Sequence, residues 1–309
     1  MTKILVTGVN GFVGRHLVRE LKTQGHEIMG LGQDEAHPEI ASQLTAYHLC
    51  DLTNEAQVAA LDLGGITAVI NLAGLAQQGA SFAAADLYKK VNVEVVTSLG
   101  KHLLADGSKA RLIAVSTGAV YDSSQPLPLT ETSKTTHASP YAESKLMMET
   151  TVNDLRAQGL DAVTVRPFNH IGPGQAPGFL LPDLYKKLQA IDQTSGHIQV
   201  GNLATKRDYT DVRDIVKAYV SLATASSLKH ELYNVCSGTS RDGKEVLEAL
   251  LTATHLQDRV VVDVDQSLVR PTDPPDLYGN AERLRQETGW SPAIAFDQTI
   301  RDFVDWART

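Results

Sequence analysis

Gly8, Gly11 and Gly14 stand three residues apart between an apolar run and a helical pattern, and this arrangement constrains the fold more than any other feature of the chain. Lys3-Ile4-Leu5-Val6-Thr7 is short, apolar and rich in branched residues, the pattern of a strand buried on both faces. After the glycines, Val13, Leu17, Val18 and Leu21 fall on one face of a helix. A turn bare of side chains lets backbone N–H groups approach a pyrophosphate, with the positive end of the helix dipole behind them. A second strand pattern, His26 to Leu31, follows in the order of a nucleotide-binding βαβ unit. The bland alternative is a plain tight turn, and the ordered flanking elements argue against it.

The alternation continues. Strands are expected at 3–7, 26–31, 67–72, 110–116 and 160–166, and helices near 12–24, 54–61, 83–106 and 140–158. Such a succession predicts an α/β fold, a doubly wound parallel sheet of Rossmann type covered on both faces. After Arg166-Pro167 the texture changes: Pro and Gly cluster at 167–182, and Pro271, Pro274 and Pro275 mark a long loop. The expected division is a dinucleotide-binding domain over 1–166, rejoined by about 207–236, and a smaller substrate lobe from about 167–206 and 237–309.

Tyr141 and Lys145 lie four residues apart in Ser-Pro-Tyr-Ala-Glu-Ser-Lys, hence on one face of a helix. A cation beside a phenol favours phenolate and is expected to lower the phenol's pKa from about 10 toward a value useful for proton transfer. With nine Tyr and fourteen Lys in the chain, about 0.4 such pairs arise by chance, so the glycine turn, not the count, gives the pair its meaning.

The spacing G-x-x-G-x-x-G together with Tyr-x-x-x-Lys resembles the short-chain dehydrogenase/reductase superfamily, and the length of 309 residues its extended branch, whose members mostly modify nucleotide-diphosphate sugars. The resemblance implies NAD or NADP held by Gly8, Asn10, Gly11, Phe12, Val13 and Gly14, by Asp51 and Leu52 toward the adenine, and by Leu72, Ala73, Gly74, Asn92, Tyr141, Lys145 and Pro167. The position at which many NAD-binding relatives carry an acid is Gly32, followed by Gln33 and Asp34, so preference between NAD and NADP stays open. For Asp51, capping of the next helix is the alternative. In Val115-Ser116-Thr117-Gly118-Ala119, Thr117 matches the Ser/Thr of a catalytic triad with Tyr141 and Lys145. Ser116 should point to the other side of the strand. Sugar-nucleotide dehydratases carry an acid directly after that Thr; Gly118 and Ala119 have no proton to offer, which argues against dehydration.

Arg166 to Gln175, Val200 to Leu203, Arg207 to Val212 and Tyr233 to Gly238 resemble the GDP-4-keto-6-deoxy-D-mannose reductases. That implies substrate contacts from Thr117, Asn169, Phe179, Arg207 and Arg270, with the arginines facing a diphosphate. Pairing with Asp208, Asp211 or Asp214 is the alternative for Arg207. His170 is expected to be structural. The implied reaction is reduction of the 4-keto group of a GDP-linked 4-keto-6-deoxyhexose. A nucleotide-sugar 4-epimerase with tightly held NAD, and a non-catalytic sensor or scaffold, are the alternatives. The resemblance also implies a homodimer through the helices at 83–106 and 140–158.

A net charge of −8 and no basic stripe argue against nucleic acid. No residues have metal-ligand spacing, Cys50 and Cys236 read as buried free thiols, and no apolar span or leader is evident, so a cytoplasmic protein without membrane or metal is expected.

Overall fold

The computed structural model describes residues 2–191, 196–268 and 274–309. Its strands are β1 (Lys3–Thr7), β2 (Glu27–Gly32), β3 (Ala46–Leu49), β4 (Ile66–Asn71), β5 (Arg111–Val115), β6 (Ala162–Pro167) and β7 (Asn169–Ile171). They continue as β8 (Gly196–Val200), β9 (Lys206–Asp211), β10 (Leu232–Val235), β11 (Ser240–Asp242), β12 (Val260–Val264) and β13 (Asp276–Leu277). The helices are α1 (Phe12–Thr23), α2 (Pro38–Ala41), α3 (Glu55–Ala59), α4 (Gln78–Ser81), α5 (Ala85–Ala105) and α6 (Pro140–Ala157). After them come α7 (Leu180–Gln189), α8 (Val212–Thr224), α9 (Gly243–Thr254), α10 (Glu282–Thr288) and α11 (Phe296–Ala307).

Seven strands form one sheet in the order β10-β6-β5-β4-β1-β2-β3, with every neighbouring pair parallel. Ile4, Leu5 and Val6 are fully buried, because helices cover both faces of β1. On one face α1 and α8 pack through Leu17, Val18, Leu21, Ile215 and Tyr219; on the other α5 and α6 pack through Val96, Leu99, Met148 and Val152. Each such aliphatic side chain taken from water contributes about 1.5–3 kcal/mol. Gly100 of α5 lets Leu155 of α6 approach, since a Cβ there would lie 2.9 Å from Leu155 Cδ2.

β3 has no counterpart in the sequence expectation. It is an edge strand, Ala-Tyr-His-Leu, with Leu49 exposed, so it lacks the two-sided apolar run that marks the inner strands. The segment 207–236 also divides differently from expectation. β10 joins the main sheet and α8 covers it, but β9 belongs to a four-stranded sheet with β7, β11 and β13. Beside that sheet, α7, α9 and α11 enclose their own core of Leu184, Tyr185, Leu188, Leu250 and Phe303.

Tyr219 is fully buried on α8, and its hydroxyl finds no hydrogen-bond partner among the described residues. A buried hydroxyl left unpaired costs about 1–3 kcal/mol. Tyr219→Phe is therefore expected to fold and to raise the unfolding free energy by about 1–2 kcal/mol. Urea denaturation checks this; a lowered midpoint would mean that the hydroxyl is satisfied in solution.

Candidate active site

β1 pairs with β2 on one side and β4 on the other, so successive connections leave in opposite directions and open a crevice at the carboxyl ends of the strands. Gly8 begins the turn at φ +62°, and a Cβ on it would lie 2.9 Å from the Leu72 carbonyl carbon and from Ala73 N. The Gly11 N–H bonds the Gly8 carbonyl at 3.0 Å, and Gly11 caps α1 in extended conformation. At Gly14 a Cβ would lie 2.6 Å from the Val9 carbonyl oxygen, so only glycine lets the helix sit this close to the turn. The Thr7 hydroxyl donates to Asn71 Oδ1 at 2.6 Å and accepts from Ala73 N at 3.1 Å, locking the two strand ends together. Phe12 stacks on His170 with ring centroids 6.1 Å apart. His170 donates from Nδ1 to the Phe168 carbonyl at 3.1 Å, and burial lowers its pKa, so its observed contacts are structural.

The end of β2 explains the missing acid. A Cβ on Gly32 would fall on the Tyr47 hydroxyl, which donates to the Asp34 carbonyl and accepts from Asn10 Nδ2 at 3.2 Å. Asn10 also donates to the Glu35 carbonyl at 2.9 Å and accepts from His37 N at 2.9 Å, tying the glycine turn to the loop after β2. Asp51 accepts from Thr53 N, Thr53 Oγ1 and Gln33 Nε2 at 3.0, 2.8 and 3.2 Å, and the Thr53 bonds lead in lowering its pKa. It does not cap α3: Asn54 does, accepting from Ala56 N and Gln57 N. Leu52 is buried in the apolar core with Met29, Cys50 and Val69.

α6 starts at the Ser139 cap, whose hydroxyl accepts from Ala142 N, with Pro140 in the first turn. Tyr141, in the first turn, is 8% exposed, and Lys145, one turn later, 7%. Thr117, at the end of β5, accepts from Ala119 N at 3.2 Å, and its hydroxyl is the side chain that favours the ionised Tyr141 phenol. Tyr88 of α5 packs edge-on to Tyr141 with centroids 6.3 Å apart, and donates to the Gln77 carbonyl at 2.7 Å. Lys145 Nζ donates to the Val115 carbonyl at 2.9 Å. The expected fall in the phenol's pKa is corrected here. Burial dominates and pushes Tyr141 up to about 12, while the Thr117 hydroxyl only opposes the rise. Burial also brings Lys145 down to about 8, against the pull of the Glu149 carboxylate.

Gly118 has a steric reason. A Cβ on it would lie 2.9–3.0 Å from the Phe168 ring, so no carboxylate can project from that position without displacing the ring. Asn92 is buried and its amide is spent locally: Oδ1 accepts from Leu75 N at 2.9 Å, and Nδ2 donates to Ser144 Oγ at 2.9 Å and to the Leu75 carbonyl at 3.2 Å. It thereby holds the Gly74-Leu75 loop, which borders Lys145, against α6.

Among the expected substrate contacts, Asn169 is exposed on β7, and Phe179, also partly exposed, precedes α7. Arg207 donates to the Lys206 and Pro274 carbonyls at 2.6 and 2.9 Å. The three acids weighed as its partners have others. Asp208 accepts from Ser237 and Gly238, Asp211 from Arg213 and Thr299, and Asp214 from the Ala293 and Ile294 N–H groups. Arg270 lies outside the described residues. Glu149 is the functional-looking residue that sequence reasoning passed over, although its spacing of four from Lys145 was the available signal. Among the described residues no group of acids, Cys and His could hold a metal ion, and no helix is long and apolar enough to cross a membrane. Cys50 and Cys236 are buried and free.

Known proteins share this fold. The chain is 29% identical to GDP-6-deoxy-D-mannose reductase of Pseudomonas aeruginosa over 98% of its own length and 97% of that protein's. RMD of Pseudomonas aeruginosa in complex with NADPH superimposes with a TM-score of 0.83, at 28% identity and with both chains fully covered. UDP-glucose 4-epimerase of Thermus thermophilus in complex with NAD gives a TM-score of 0.86 at 26% identity, covering 99% of each chain. The model of the NAD dependent epimerase/dehydratase family matches residues 4–236. A Rossmann-type sheet, a glycine turn at its switch point and a Tyr-Lys pair beside the crevice thus belong to a member of the NAD dependent epimerase/dehydratase family.

Proposed function

We propose that this chain reduces the 4-keto group of a GDP-linked 4-keto-6-deoxyhexose, using NADH or NADPH. The observation that carries the reading is the Thr117-Tyr141-Lys145 constellation beside a Gly118 closed off by Phe168. Elimination of water needs an acid and a base in addition to the triad, and this chain has neither directly after Thr117. Reduction needs one proton donor and one polarising donor, which Tyr141 and Thr117 supply.

The residues present fit a dinucleotide. The turn Gly8, Asn10, Gly11, Phe12, Val13, Gly14 offers N–H groups at a helix start for the pyrophosphate. Asp51 and Leu52 would border the adenine, Leu72, Ala73 and Gly74 the middle, and Pro167 with Lys145 the nicotinamide end. When bound, the reduced nicotinamide supplies a hydride. The chain's own part is the proton. As charge develops on the carbonyl oxygen, Thr117 donates a hydrogen bond to it, the Tyr141 O–H bond breaks and the alcohol O–H forms. Phenolate remains, stabilised by the Lys145 ammonium until a solvent proton replaces the one given up. A phenol whose pKa stands near 12 holds its proton throughout the working range, which suits the reductive direction. GDP recognition is supported by the likeness to the Pseudomonas aeruginosa reductase over the whole chain. Asn169, Phe179, Arg207 and Arg270 are the proposed contacts. We also propose that a second copy covers the outer face of α5 and α6, where Leu87 and Met147 are 52% and 41% exposed.

A thermal-shift screen of GDP, UDP, dTDP and CDP sugars with NADH and NADPH tests the substrate. GDP is expected to stabilise most. If UDP wins and the purified chain retains NAD, the 4-epimerase reading replaces this one. Tyr141→Phe is expected to cut kcat by about 10²–10⁴-fold while leaving cofactor affinity within about threefold; near-normal turnover would remove Tyr141 from the mechanism. Sedimentation should give a dimer that Leu87→Glu with Met147→Glu converts to monomer, and a wild-type monomer would sink the proposed pairing.

A further inference from the structure

Tyr141, Lys145 and Glu149 occupy successive turns on one face of α6, and all three are at least nine-tenths buried. Glu149 faces away from solvent into a set of donors the catalytic scheme does not use. Ser116 Oγ donates to its Oε1 at 2.5 Å, Arg166 Nε to Oε1 at 2.9 Å and Arg166 Nη2 to Oε2 at 2.6 Å. The Arg166 guanidinium lies 4.7 Å from the centre of the Tyr121 ring, and Tyr121 donates to Asn234 Oδ1 at 2.6 Å. Asn234 Nδ2 in turn donates to the Leu129 carbonyl at 3.1 Å. The network therefore runs from α6 through the ends of β5, β6 and β10, directly behind the triad.

A buried ion pair adds little stability that an apolar pair of similar volume could not match. Its position gives it another use. The groups facing Lys145 and its partners are few. Tyr141 and Glu149 share its helix, Val115 offers its carbonyl with the Ser116 and Thr117 hydroxyls beside it, and Arg166 acts through Glu149. Tyr88 of α5 packs on Tyr141, and Tyr219 of α8 senses Tyr141 from the far side of the sheet. Of these, the carboxylate whose charge reaches Lys145 is Glu149.

Resting on the role proposed above for Tyr141 and Lys145, we infer that Glu149 is a positioning residue that keeps Lys145 cationic during turnover, with Arg166 and Ser116 fixing its carboxylate. Burial alone drives the Lys145 proton off, and Glu149 opposes it. Arg166 shares the carboxylate's charge in a bidentate fork, so the opposition is partial and Lys145 loses its proton only as the pH rises through about 8.

The sign is fixed. Ketone reduction needs the ammonium, so wild-type kcat/KM should be level near pH 6.5 and fall above about pH 8. In Glu149→Gln the falling limb should move down by about one pH unit. The ratio to wild type should then be about one-tenth at pH 8.5 but within threefold at pH 6.5. Glu149→Asp should return the limb part of the way. Should the single variant not fold, Glu149→Leu with Arg166→Met removes both charges without leaving one unpaired, and a smaller shift in the same downward direction is expected. A second measurement needs no substrate: competitive acetylation of Lys145 with acetic anhydride across pH, read by mass spectrometry, should show the same one-unit shift. An unmoved acetylation midpoint in a folded variant overturns the inference. Absence of any GDP-sugar reduction by wild type would instead overturn only the substrate reading.

Discussion

The Thr7 hydroxyl, donating to Asn71 and accepting from Ala73, joins the carboxyl ends of β1 and β4 where the order of the sheet reverses. The glycine turn and the candidate site are built on that junction. It brings the Leu72-Ala73 backbone against Gly8, which leaves the glycine turn one available shape. From β4 the Asn92 amide carries the register onward to Leu75 and Ser144, and so to the first turn of α6. The crevice and the Tyr-Lys pair are thus held in one frame by backbone contacts and four short side chains, Thr7, Asn71, Asn92 and Ser144.

Within that frame, burial sets the chemistry. A phenol and an ammonium placed together in water would each keep ordinary behaviour. Removed from water, both are pushed toward their neutral forms, the phenol up and the amine down. The site therefore starts as a neutral acid beside a reluctant cation. The Thr117 hydroxyl opposes the rise of the phenol, and the Glu149 charge opposes the fall of the amine.

Much of the architecture was readable from residue patterns, and the reasons for the failures are physical. The inner strands were legible because they are buried on both faces and so must be apolar throughout. β3 was not, because an edge strand beside one neighbour tolerates His48 and an exposed Leu49. The spacing of Tyr141 and Lys145 was legible, since a helix has one period. Their proton affinities were not, because these depend on how deeply distant strands and Tyr88 enclose them. The acids near Arg207, offered as the alternative to a diphosphate, show a related cause. Asp208, Asp211 and Asp214 are near in sequence, yet each is claimed by donors from distant segments of the chain. Gly118 was read correctly as lacking a proton. That Phe168 forbids a larger residue there became visible only when strands 50 residues apart met.

The Tyr47 phenol over Gly32 has a consequence for substitution. The two positions are 15 residues apart in sequence but share one volume, and the phenol also ties Asn10 to the loop after β2. A side chain gained at 32 alone meets the phenol; a smaller residue at 47 alone frees the loop and leaves a void. Each step alone makes the other position adjust, so the two sites are coupled. A change at either position is therefore felt at the other and in the loop that Asn10 holds.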